Sequence, residues 1–164
     1  MKLFHENVTG YKKQLKKGAT QVDYTGSMEY AMGLRTYFEK KYPDHFVSGS
    51  IYYGYMDMTY FSFIPKLLKQ RKLKPAIVFV HDKFGFEIWL SASNKQVQQK
   101  YWDLIKESGW NKYSLVPTTQ GYDSIIEHTL VDDPDFSDLD ALTKQIEKST
   151  LKFIKDVENF LSKH

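Results

Sequence analysis

The chain has no cysteine. That excludes disulfides, thiolate catalysis and cysteine-based metal sites at a stroke. Its first residues, MKLFHENVTGYKKQ, hold no apolar run of the kind a signal peptide carries. No stretch approaches the ~20 apolar residues of a membrane span. Internal repeats and low-complexity tracts are absent, as are the signatures of helix-turn-helix, KH and RNP-type nucleic-acid modules. The expectation is a soluble cytoplasmic protein of 164 residues, folded as a single domain over 1–164.

Charge of one sign is also in short supply overall, with 23 Lys/Arg against 20 Asp/Glu. The balance is uneven along the chain. Residues 1–74 carry 13 basic and 6 acidic side chains, residues 75–164 carry 10 and 14. A basic surface could meet an acidic partner, including the acidic surface of a second copy.

What is abundant is aromatic. Residues 46–92 hold eleven of the 26 aromatic residues, mostly alternating with polar or small ones. That is the period of a strand, so the middle of the chain reads as a sheet with rings on both faces. Strands are expected at 47–55, 57–64, 76–81 and 84–91, with turns near Gly54 and at His81-Asp82-Lys83. The unbroken AIVFV of the third suggests a central strand covered on both sides. In the fourth, Phe84, Phe86, Ile88 and Leu90 face the core, while Glu87 and Trp89 face the other way.

Helices surround this block. Phe4, Val8, Tyr11 and Leu15 share one helical face, with Gly18 as its C-cap. A second helix, capped by Thr25 or Ser27, buries Met28, Ala31, Leu34, Tyr37 and Phe38 and stops before Pro43. KLLKQRKLK at 66–74 reads as a helical turn plus a loop. Asn94 caps a helix reaching about residue 108, closed by Gly109. Residues 111–121 read as a loop, 123–131 as a fifth strand and 138–162 as a long last helix. The order is α-α-β-β-β-β-α-β-α. Short links between strands imply an antiparallel meander, and one apolar sheet face demands helices on one side. The fold class is therefore α+β, an antiparallel sheet of four to five strands with helices mainly on one face.

Chemistry is harder to place. Asp57, Asp82 and Glu87 lie near strand ends, where carboxylates could hold Mg²⁺. A nuclease of that type needs a lysine two residues after its second acid; here Glu87 is followed by Ile88 and Trp89, and the Glu-x-Lys of the chain is Glu39-Lys40-Lys41. His81 and His128 sit near strand ends, but Glu127 and His128 point to opposite faces. The aspartates at 132–140 miss the calcium-loop glycine and suit a helix N-terminus, with Ser137 and Asp140 as a capping box. The cations of 66–74 beside an aromatic sheet fit single-strand nucleic acid, phosphates on lysines and bases on rings. No catalytic residue, metal site or cofactor is assigned.

The rings themselves could be mixed core, a small-molecule pocket or a subunit interface. The leading expectation is a non-enzymatic binding or interaction protein, a homodimer, working through Tyr53, Tyr55, Asp57, His81, Glu87 and Trp89. A divalent-metal nuclease, or an inactive relative of one, and a non-catalytic nucleic-acid-binding domain are the alternatives.

Four segments carry a resemblance: Tyr30-Ala-Met-Gly-Leu-Arg35, GSIYYGYMDMTYFSF at 49–63, FEIWLSASNKQVQQKYW at 86–102 and PDFSDLDALTKQIEK at 134–148. Together they are similar to a family of small uncharacterised bacterial proteins, a domain of unknown function. That resemblance implies no catalytic residues. The run from Phe86 to the last helix also resembles the C-terminal part of degenerate restriction-endonuclease-like proteins, where strand, charged helix, strand and long helix follow in this order.

Overall fold

The computed structural model describes residues 19–48, 52–53 and 58–164. The elements run α1 (Ala19–Lys41), β1 (Phe46–Val47), β2 (Tyr52–Tyr53), β3 (Met58–Ile64), α2 (Lys66–Gln70), β4 (Leu73–Val80), β5 (Gly85–Ala92), α3 (Lys95–Ser108), β6 (Ser114–Leu115), β7 (Ile126–Asp132) and α4 (Leu139–Ser162). The first expected helix, around Phe4 to Leu15, lies outside the described residues.

Every strand pair is antiparallel, in the order β1-β3-β4-β5-β7-β6, with β2 also beside β3. β1 and β2 occupy one edge. Val47 stands opposite Phe63 and Tyr52 opposite Tyr60, so the register slips by two residues between them. Among the described residues the sheet is thus six strands wide, more than the four or five expected. The extra one is β6, two residues in a stretch read as loop, and too short to show any periodicity.

Alternation sorts the side chains. Phe61 and Phe63 of β3, Ile77 and Phe79 of β4, Phe86, Ile88 and Leu90 of β5, and Ile126 of β7 join one core cluster. Leu34 and Phe38 of α1, Leu68 of α2, Tyr101 and Ile105 of α3, and Ile146 and Phe153 of α4 complete it. The described helices therefore cover one face of the sheet. β4 is buried from Pro75 through Phe79 on both faces, as its apolar run implies.

Helix ends follow their local chemistry. Asn94 accepts from the Val97 amide at 2.9 Å, and Gly109 closes α3 at φ +74°. α4 is capped by Asp138, which accepts from the Ala141 amide at 3.1 Å. The Ser137 hydroxyl instead donates to Asp135, so the expected Ser137 capping box does not form. Thr25 and Ser27 lie inside α1, which already runs from Ala19. Phe84 is not in β5: it ends the hairpin turn at φ +48° and is 43% exposed.

Candidate binding surfaces

The face of the sheet that the described helices leave uncovered carries two of the expected site residues together. Trp89 donates its indole N–H to Glu87 Oε1 at 2.8 Å, and Lys83 Nζ approaches Oε2 at 3.5 Å. Period-two geometry makes this possible: residues i and i+2 share a face. Glu87 is 5% exposed and stands opposite Val78 and Thr129. Beside this pair is a hollow of about 360 Å³ lined by Met58, Tyr60, Ser62, Lys74, Ala76, Val78, Trp89, Ser91, Ala92 and Asp123. Two rings, one cation, one carboxylate and two serine hydroxyls converge there, at the lower end of ligand-pocket sizes.

His81 does not belong to this group. Its Nε2 lies 3.0 Å from Thr59 Oγ1, and its ring packs edge-on against Phe79 at 4.7 Å. Thr59 and Phe79 face the helices, so His81 and the Glu87–Trp89 pair are on opposite sides of the sheet. Tyr53 enters through its backbone pairing with Thr59. Tyr55 and Asp57 lie outside the described residues, and with them the convergence of Asp57 and Glu87. Among the described residues no group of three or more His, Asp or Glu side chains could hold a metal ion.

A larger groove lies on the helical face, between α1 and α4. It measures about 870 Å³ and is lined by Gly26, Ser27, Glu29, Tyr30, Gly33, Leu34, Tyr37, Phe84, Phe136, Leu139, Asp140, Thr143 and Lys144. Tyr30 and Thr143 hydrogen-bond across its floor at 2.9 Å. Phe136 packs edge-on against Tyr30 at 5.7 Å and against Phe84 at 5.8 Å. Sequence reasoning missed this groove, although Gly26 and Gly33 in one helix were a visible signal.

Two carboxylates on α4 gather the strongest polar networks. Glu147 receives Tyr37 and Lys41 at 3.1 Å each on Oε1 and Tyr42 at 2.6 Å on Oε2. Burial opposes its charge, but the hydrogen bonds from Tyr42, Lys41 and Tyr37 win and hold the carboxyl below its usual range. Tyr42 is pushed up to about 12, by burial first and then by Glu147. Nine residues on, Asp156 receives Tyr113 at 2.6 Å, Lys152 at 2.8 Å and Lys112 at 3.1 Å. Both networks tie α4 to neighbouring elements.

The remaining candidates have structural partners. His128 sits edge-on to Tyr113 at 4.7 Å and is stacked near Phe153; burial, then Lys152, lowers its pKa. Glu127 accepts from Ser124 on the opposite face, as alternation requires. Within 66–74, Arg71 donates to the Leu161 carbonyl at 3.1 Å and Lys69 lies over the Phe46 ring at 5.0 Å.

Among the described residues these features make an α+β fold: an antiparallel sheet, helices on one face, and hollows on both. The chain belongs to the family described as Domain of unknown function (DUF7000), whose model matches residues 4–161. No curated protein and no solved structure matches it, so the restriction-endonuclease-like resemblance finds no support among the comparisons. No helix among the described residues is long and apolar enough to cross a membrane.

Proposed function

We propose that this is a non-enzymatic binding protein whose ligand lies against the ring-bearing sheet face. One observation carries the reading. Trp89 is half-buried and fixed by its bond to Glu87, at the edge of a hollow that also holds Tyr60, Lys74 and Asp123. A pre-oriented ring binds at low entropic cost, and the neighbouring charges supply direction. A planar molecule with a polar or anionic substituent suits two rings and a lysine. The test is ligand-observed NMR with a library of small planar acids and nucleotides, repeated on Trp89→Ala. Hits that vanish in the variant support the reading. Hits that survive it, or no hits at all, remove it.

Nucleic acid is a second reading. It is favoured by Lys74 lining the hollow while Lys66, Lys69 and Lys72 stand exposed along the preceding segment. It requires single-strand binding that weakens steeply with salt and with Lys74→Ala. Salt-independent binding, or none, excludes it.

A further inference from the structure

We propose that the α1–α4 groove docks a basic, amphipathic helix supplied by a partner protein, a site separate from the sheet-face hollow. The groove collects features that disfavour the isolated chain. Gly26 and Gly33 lie inside α1, where glycine is the least favoured residue after proline. A Cβ at either position would meet nothing within 4 Å, so packing within the chain does not require them. Seven residues is two helical turns, which puts both glycines on one face about 10 Å apart. Phe84 sits at the mouth in a left-handed conformation that glycine adopts without strain. Its ring is 43% exposed and Leu139 beside it 47%.

Bare helical backbone at two-turn spacing suits a second helix approaching α1 closely. Side chains of that helix would fill the aromatic floor made by Tyr30 and Phe136. Charge selects the kind of helix. Asp132, Asp133, Asp135, Asp138 and Asp140 are all exposed around Phe136 and Leu139. Asp135 is held ionised by hydrogen bonds from Ser137. Glu29 on the opposite wall adds another charge and, like Asp140, takes no hydrogen bond or ion pair among the described residues, so the acids outnumber Lys144, the cation among the groove's described lining. The complementary face is basic.

The probe is a fluorescein-labelled Leu/Lys helical peptide of roughly 14 residues, long enough to form a helix against a template. Its anisotropy is followed on addition of the full chain. The expected result is saturable binding, weakened about tenfold by Gly33→Leu and by replacing the peptide's lysines with glutamates. Leucine favours the helix and meets open space, so Gly33→Leu keeps its circular dichroism and does not lower its melting temperature. Asp140→Lys tests the charge independently, and Trp89→Ala leaves binding unchanged. Absence of saturable binding, equal binding of the Leu/Glu peptide, or indifference to Gly33→Leu overturns the proposal. Tighter binding of a peptide of residues 4–15 of this chain, or a dimer in sedimentation that Gly33→Leu dissolves, assigns the groove to the chain itself and also overturns it.

Discussion

Tyr42 donates its hydroxyl to Glu147 Oε2 at 2.6 Å, fastening the residue just after α1 to the middle of α4. Tyr37 and Lys41 complete the carboxylate's shell. Glu147→Ala leaves two tyrosine hydroxyls without their acceptor, and that change is expected to cost about 2–4 kcal/mol. Glu147→Gln keeps an acceptor but turns an amide donor toward other donors, so it falls between wild type and alanine. Urea denaturation of the three proteins checks the order. Stabilities within about 0.5 kcal/mol of one another would mean that the network contributes nothing measurable.

The same pair sets opposite pH limits. Tyr42 titrates near 10.0 when unperturbed and at about 12 in the fold, because burial and then Glu147 favour the neutral phenol. Its contribution is complete below pH 10.0 and is lost as pH rises through about 12. Glu147 is shifted the other way, below its ordinary 4.5. Its contribution is complete above that value and disappears as pH falls through the folded one. Denaturation midpoints measured across the alkaline range should fall more steeply for wild type than for Tyr42→Phe. Parallel curves would rule out Tyr42 as the titrating group.

Some of this was readable in the residues and some was not, and the division has physical causes. Both ends of α3 carry their own signals, Asn94 and Gly109, and both act as expected. The pairing of Glu87 with Trp89 follows from alternation alone. One residue of turn length decides which face His81 takes. A three-residue turn at 81–83 pairs Phe86 with Val78 and puts His81 on the Glu87 side. The observed turn has four residues, pairs Phe86 with Phe79 and reverses that assignment. The Glu147 network and the α1–α4 groove join residues about a hundred positions apart, which no local period reveals.

Three glycines should respond to alanine with three different outcomes. At Gly85 a Cβ would stand 2.9 Å from the Val131 carbonyl oxygen, across the β5–β7 pair. Backbone cannot retreat without parting the strands, so Gly85→Ala should cost about 1–3 kcal/mol. At Gly109 there is open space but φ is +74°, so alanine costs about 1 kcal/mol through strain alone. At Gly33 the backbone is helical and the space open, so alanine should add about 0.5–1 kcal/mol. Urea midpoints of the three variants test the ranking. A destabilised Gly33→Ala would show that this glycine serves packing within the chain.

The Glu87–Trp89 bond can be isolated by a double-mutant cycle. The indole N–H donates to a carboxylate that is buried and, among the described residues, otherwise meets Lys83 at 3.5 Å. Trp89→Phe keeps a ring but removes the donor; Glu87→Leu removes the acceptor and leaves the indole N–H unpaired. Each is expected to cost about 1–3 kcal/mol, since each strands one polar group. The double variant strands neither, so it should be more stable than the sum of the singles implies, by about 1–2 kcal/mol. Strict additivity would mean that the two side chains are neighbours without energetic coupling. Trp89 would then be free to turn, and the sheet face would lose the fixed ring on which the binding reading depends.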